Sequence, residues 1–174
     1  YAISAAINSS GAECKMHKIL SDKKEDVDKL YENCSQSDLI VTIGGVSKGD
    51  FDLIRDAISS KGNIDFWGIN MKPGKPLAFG KVVLNNKEVF HIGLPGNPVS
   101  SYVCFELFIR PILLKMQGMK NIHRKKIRAK ISSDIYNNDG RRSYSRVSIK
   151  KHNENDYIAE VYKNQGSNIF SSCL

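Results

Sequence analysis

The chain is poor in the residues that build covalent staples and metal cages. Its 174 residues hold four cysteines, four histidines and a single tryptophan. Cys14, Cys34, Cys104 and Cys173 lie far apart, with no CxxC pair and no histidine at metal-ligand spacing. That pattern argues against a zinc ribbon. Buried free thiols in a reducing compartment, and hence a cytoplasmic location, are the expectation. His17, His91, His123 and His152 are equally scattered, and none is assigned a catalytic role. No run approaches the roughly 20 apolar residues of a membrane-spanning helix, so no membrane insertion is expected. No signal-peptide pattern opens the chain. Tyr1 in place of Met points to a fragment or a processed chain. Internal repeats and low-complexity segments are absent.

Basic residues exceed acidic ones, 26 to 18, for a net charge of +8. Basic chains meet nucleic acids, membrane surfaces or small anions. Here the cations are spread along the chain, apart from His123-Arg124-Lys125-Lys126 with Arg128. That run reads as a solvated linker face. No aromatic residues interleave with basic ones as in a nucleic-acid groove, so no nucleic-acid partner is expected.

The first two thirds alternate helix and strand signals. Residues 2–9 read as a short helix stopped by Ser10-Gly11, and 13–19 as a strand. Val27, Leu30 and Tyr31 put a helix over 23–34, with Asp22 as N-cap and Glu25 three residues on. Leu39-Ile40-Val41-Thr42-Ile43 is a β-branched run, expected of a strand covered on both faces. A helix over 52–59 follows, broken by Gly62. Strands are predicted at 66–69, 77–83 and 89–94, with a turn at Asn85-Asn86. Asn97 as N-cap and Pro98 as N1 start a long helix to about Met116, ended by Gln117-Gly118. The alternation predicts an α/β domain over 1–118: a doubly wound, mostly parallel sheet with helices on both faces. Residues 119–174 change character. Short strands at 127–131, 144–150 and 157–162, joined by polar turns such as Asn137-Asn138-Asp139-Gly140, predict a partial small β-domain.

Three segments carry chemistry. Gly44-Gly45-Val46-Ser47-Lys48-Gly49-Asp50 lies between a strand and a helix. Gly44, Gly45 and Gly49 let main-chain N–H groups approach a ligand, and the helix start favours an oxyanion. Ser47 adds a hydroxyl. Asp50 and Asp52 suit Mg²⁺ held jointly with a ligand's phosphates. The same residues would equally serve a tight turn with an N-capping Asp. Met71-Lys72-Pro73-Gly74-Lys75-Pro76 carries two ammonium groups on a loop stiffened by Pro73 and Pro76. Clustering two cations costs energy unless an anion sits between them, so Lys72 and Lys75 form a candidate clamp for a tetrahedral dianion. An exposed basic turn is the bland alternative. Gly93-Leu94-Pro95-Gly96-Asn97-Pro98 again places freed N–H groups at a helix start. It also reads simply as a well-capped helix. In open α/β sheets ligands bind beyond the carboxyl ends of strands, where the first and third segments fall. In the tail, Arg141, Arg146 and the Gln165-Gly166-Ser167 segment stand out as oxyanion partners, or else as charged and polar groups turned to solvent.

In this order the segments resemble the molybdopterin molybdenumtransferases, the family of bacterial MoeA and of the gephyrin E domain. The resemblance rests on residues 44–52, on Met-Lys-Pro-Gly-Lys-Pro-Leu-Ala-Phe-Gly at 71–80 and on Gly-Leu-Pro-Gly-Asn-Pro-Val-Ser at 93–100. Gly-Arg-x-x-Tyr-x-Arg at 140–146 and Gln-Gly-Ser-x-Ile-Phe-Ser-Ser at 165–172 extend it. It implies the molybdopterin-binding fold, an adenylylated molybdopterin and molybdate as substrates, release of AMP, assistance by Mg²⁺, and a homodimer in the full-length protein. It further implies that Asp50 and Asp52 lie at the adenylate, metal or molybdate, and that Lys72 and Lys75 hold molybdate or phosphate. Ser47 and the 93–98 loop, with Pro95, Gly96, Asn97 and Pro98, would cradle pterin and phosphate. Arg141, Arg146 and Ser167 would face the anion from the β-domain.

Gly68 follows Trp67 where family members often carry a lysine. The family's opening strand and N-terminal domains are absent, and the β-domain stops short, so the fragment is expected to bind ligand more readily than to turn it over. A sister family adenylylates molybdopterin with ATP, but its first loop reads Gly-Gly-Thr-Gly and it lacks the Lys-Pro-Gly-Lys-Pro segment. A gephyrin-like receptor-clustering scaffold is the alternative from a different class. Retention of Lys72, Lys75, Asp50 and Asp52 favours catalysis.

Overall fold

The fold is that of a computed structural model. It describes the chain apart from residues 22, 46–50, 154–155, 167 and 174, together with the side chains of 24, 51–53, 55, 57, 66–67 and 172. In chain order the elements are α1 (Ala2–Ser9), α2 (Lys24–Asn33), β1 (Leu39–Ile43), α3 (Phe51–Lys61), β2 (Gly62–Trp67), β3 (Met71–Lys72), β4 (Ala78–Leu84) and β5 (Lys87–Leu94). Next comes one helical rod made of α4 (Pro98–Cys104), a π-turn at Phe105–Ile109 and α5 (Arg110–Met116). The tail contributes β6 (Lys130–Ile131), β7 (Arg142–Ser143), β8 (Val147–Lys151), β9 (Tyr157–Val161) and a 3₁₀ turn at Phe170–Cys173.

Among the described residues the main sheet has the order β1-β5-β4-β2. It is covered on both faces, as expected. On one face α1 and the α4–α5 rod pack Ile3, Ile7, Cys104, Phe105 and Ile109 against Leu77, Ile92 and Leu94. On the other, α2 and α3 pack Val27, Leu30, Tyr31, Ile54 and Ile58 against Ile40, Val82 and Val89. The 27, 30, 31, 34 spacing of α2 and the 54, 58 spacing of α3 each line one helical stripe. Glu25 and Asp26 in the first turn of α2 suit its dipole. The residue capping α2 is Lys23, without a side-chain bond, and Asp22 lies outside the described residues. The rod absorbs Pro111 through the π-turn directly before it, since proline has no N–H to give the preceding turn.

The sheet is mixed, which corrects the expectation of a mostly parallel one. Among the described residues of this sheet only β1 and β5 run parallel, whereas β4 is antiparallel to both β5 and β2. The reason lies in Asn85 and Asn86, whose φ angles of 49° and 63° make a two-residue turn. Such a turn joins neighbours as a hairpin and cannot make the crossover a parallel pair needs. The alternating burial of β4 fits that hairpin. β1 is touched on both faces, yet only Ile40 is buried and Ile43 is 53% exposed, because the strand lies at the sheet edge. Residues 12–20 form no strand. Among the described residues no neighbour offers them a ladder of hydrogen bonds, without which an extended segment is not a strand. The tail forms a small sheet of order β6-β9-β8. No helix of the described chain is long and apolar enough to cross a membrane.

His91 sits fully buried on β5, held between the Tyr31 hydroxyl at Nδ1 (2.9 Å) and Thr42 Oγ1 at Nε2 (3.1 Å). Burial pushes its pKa from an ordinary 6.5 down to about 4. The folded chain therefore binds one proton fewer than the unfolded chain between those values. Stability is complete above pH 6.5 and falls as pH drops towards 4, by about 1.4 kcal/mol per unit. Urea unfolding at pH 7, 6, 5 and 4.5 is expected to show this slope. A flat profile would mean that the ring is not held neutral.

Candidate functional site

One rim of the main sheet gathers Gly44-Gly45 of the first predicted segment with the second and third segments. β1 and β5 end side by side, with Ile43 opposite Leu94. β4 starts where β5 ends, with Ala78 opposite Gly93, and β2 ends there too, with Trp67 opposite Ala78. The Gly44 N–H donates to the Leu94 carbonyl at 3.0 Å. A β-carbon placed on Gly96 would lie 3.8 Å from the Gly44 α-carbon. Gly44 and Gly45 take φ angles of 85° and 66°, a region that glycine enters without strain. Ser47, Gly49 and Asp50 lie outside the described residues. So does the side chain of Asp52, whose backbone sits in the first turn of α3.

The 93–98 loop is anchored to the helix it starts. Asn97 and Pro98 take the N-cap and N1 places, though the Asn97 side chain makes no cap bond. Instead the buried Ser101 hydroxyl donates to the carbonyls of Pro95 and Asn97. Pro95 is buried, whereas Gly96, Asn97 and Pro98 face solvent.

The 71–76 loop is fixed from beneath. Met71 points into the core and Lys72 outward. Gly74 is buried against Cys104 of α4, whose thiol lies 3.7 Å from the Gly74 carbonyl. Burial pushes that thiol up to about 12, so it stays a neutral packing group. The Ile69 N–H donates to the Lys75 carbonyl (2.9 Å) and the Gly68 N–H to that of Leu77 (2.7 Å). Pro73 and Pro76 are partly buried, and the Lys75 side chain is exposed.

The tail reaches this loop. β3 pairs in parallel with β7. The Arg142 N–H donates to Asn70 O (3.1 Å) and the Tyr144 N–H to Lys72 O (2.8 Å). Arg141 is thereby brought beside Lys72, and the two share the carboxylate of Asp139. Mainly through its hydrogen bonds from Arg141, that carboxyl is held well below the usual range, at about 2. Arg146 is placed differently. Its guanidinium is buried and donates to the carbonyls of Gly166 (3.1 Å) and Asn164 (3.5 Å). Its main chain exchanges two bonds with the Gln165 amide, at 2.9 Å each. In this geometry Arg146 braces the loop before Ser167, itself outside the described residues. Among the described residues no group of three or more His, Cys, Asp or Glu could hold a metal ion. A cleft of about 450 Å³ lies on the helical face, lined by Ala2, Ser9, Tyr102, Arg110, Leu114 and Phe170, and includes none of the predicted site residues.

Sequence reasoning missed Asp139 and the β3–β7 pairing. The available signal was an Asx residue two places before Arg141, the spacing of a side-chain-closed turn.

Residues 1–115 match the family model described as "Probable molybdopterin binding domain". The chain belongs to the molybdopterin-binding family of MoeA and the gephyrin E domain. Family relatives agree. The molybdopterin molybdenumtransferase of Haemophilus influenzae is 41% identical over 103 residues, covering 59% of this chain and 24% of that protein. Gephyrin of Dictyostelium discoideum is 38% identical over 113 residues, covering 58% of the chain and 16% of that protein. A solved structure of the molybdopterin biosynthesis MoeA protein of Pyrococcus horikoshii superimposes with a TM-score of 0.73 at 31% identity, covering 98% of this chain and 39% of that one. The chain thus spans well under half of each of these family members.

Proposed function

We propose that this chain is the substrate-binding part of a molybdopterin molybdenumtransferase, which inserts molybdate into adenylylated molybdopterin and releases AMP. The observation that supports this best is the rim itself. Two glycine-bearing loops and a braced two-lysine loop open at one end of one sheet. Molybdate is a dianion, and Lys72 and Lys75 offer it two compact positive charges. Their attraction grows as the site loses water. The main-chain N–H groups of Gly45, Gly96 and Asn97 suit the pterin and phosphate, since Pro95 and Pro98 have none to offer and that of Gly44 is held by Leu94. Arg141 extends the positive surface towards the tail. Arg146 supports Gln165 and Gly166, the residues that lead into Ser167.

The Mg²⁺ reading rests on the donor set. Asp50 and Asp52 are two carboxylates two positions apart in the sequence between a strand and a helix, and hard oxygen donors shared with substrate phosphates are what Mg²⁺ prefers. Bound there, the ion would neutralise charge on the adenylate phosphates. Residues 1–118 act as the binding domain and 119–174 as a companion β-unit, within a cytoplasmic full-length homodimer.

The reading is tested in the full-length protein by an insertion assay. Asp52→Asn is expected to slow insertion about 100-fold while leaving the melting temperature unchanged, as for loss of a group acting in the transition state. Unaltered kinetics would remove Asp52 from the site.

A further inference from the structure

We propose that Asp139 is a built-in competitor for the oxyanion, a carboxylate that an incoming dianion must displace from Lys72 before the cation can bind it. The inference rests on the reading of Lys72 as an oxyanion ligand. It adds a residue that sets the affinity of that site.

Asp139 uses its two oxygens differently. Oδ1 accepts the Arg141 main-chain N–H at 3.1 Å and closes an Asx turn. Asn137 braces the same turn, donating from Nδ2 to the Arg141 carbonyl at 2.7 Å. A turn needs no more than this, and asparagine closes it as well as aspartate. Oδ2 gathers two cations. Arg141 Nε lies 3.1 Å away, Arg141 Nη2 2.5 Å and Lys72 Nζ 3.6 Å. One acidic oxygen held between a guanidinium and an ammonium group imitates what a tetrahedral oxyanion presents to them.

The two halves of the contact are unequal. Arg141 holds Asp139 by three hydrogen bonds. Lys72 makes one long contact through a side chain that is 61% exposed, and exposed pairs of this kind are weak. Exchange therefore takes place at Lys72. The backbone does not move for it, because the β3–β7 pairing keeps Lys72 in register with Ser143. Since the carboxyl stays ionised down to about pH 2, protonation does not relieve the competition at ordinary pH. Asp139 then lowers oxyanion affinity in two ways, by occupying Lys72 and by leaving a negative charge a few ångströms from the bound dianion.

Calorimetric titration of the full-length protein with molybdate alone, and in parallel with inorganic phosphate, tests the proposal. Asp139→Asn keeps the turn and removes the charge. It is expected to tighten molybdate binding by about three- to tenfold, the size of a screened charge–dianion repulsion at this range. Lys72→Ala is expected to weaken binding, and the gain from Asp139→Asn is expected to shrink in the Lys72→Ala background, where only relief of the charge repulsion remains. Asp139→Ser, which closes the same turn through a hydroxyl, replaces Asn if that variant lowers the melting temperature. Weaker binding in Lys72→Ala with no gain in Asp139→Asn would overturn the competitor role while leaving the site reading intact. An equal gain in both backgrounds would show a general field effect and also overturn it. Lys72→Ala matching the wild type, or no binding of molybdate by any form, would overturn both. The phosphate arm decides whether the effect is selective, and a gain for phosphate alone would overturn the molybdate assignment of the competition.

Discussion

Gly74→Ala is expected to destabilise the fold by about 3 kcal/mol or more, the joint cost of a strained backbone and an overpacked contact. Gly74 has φ 105°, a conformation that side-chain-bearing residues rarely adopt. A β-carbon there would lie 2.6 Å from the Cys104 sulfur and 3.2 Å from the Met71 methyl. Neither neighbour has room to retreat, since Cys104 is fully buried and Met71 nearly so. For a chain of this length the melting temperature would fall by roughly 6–12 °C. Cys104→Ala removes the sulfur and is expected to rescue part of the loss. The backbone contribution would remain. A Gly74→Ala melt superimposable on the wild type would show that the lysine loop is not seated on α4 as described. The same substitution bears on function, because the seat of Gly74 fixes both flanking lysines.

Lys75→Ala should leave folding intact and weaken molybdate binding by about 10- to 100-fold in the full-length protein, the usual range for one charge-assisted hydrogen bond. The side chain is exposed, and the one described bond of the residue is made by its carbonyl, which the substitution preserves. Loss of affinity would therefore report the ammonium group alone. Equilibrium dialysis against molybdate measures it, and wild-type affinity would take Lys75 out of the site.

Much of this was legible in the residues. The helices of the first two thirds follow from apolar spacing, and the start of α4 from Asn97-Pro98. The glycine-bearing loops fall at strand ends because glycine is needed where a chain leaves a strand at positive φ, as at Gly44 and Gly45. Strand direction was less accessible, because an apolar run reads the same either way. Asn85-Asn86 held the answer, since a two-residue link permits only a hairpin. Residues 13–19 look like a strand locally, but a strand also needs a neighbour, and no local pattern reports one. The tail contacts were hidden for a similar reason. Nothing in Gly140-Arg141-Arg142 indicates pairing with Met71-Lys72, seventy residues earlier in the chain, and nothing marks Arg146 as a brace for the Gln165 loop. Both depend on where a loop lands in space.

The most direct measurement is a crystal structure with molybdate and AMP soaked in, read by anomalous scattering from molybdenum. The expected result is a single strong peak at the rim, within hydrogen-bonding reach of Lys72 and Lys75, with AMP phosphate near residues 44–50 or 95–98. A molybdenum peak on another face of the sheet, or in the helical cleft beside Tyr102, would contradict an oxyanion site built from these loops.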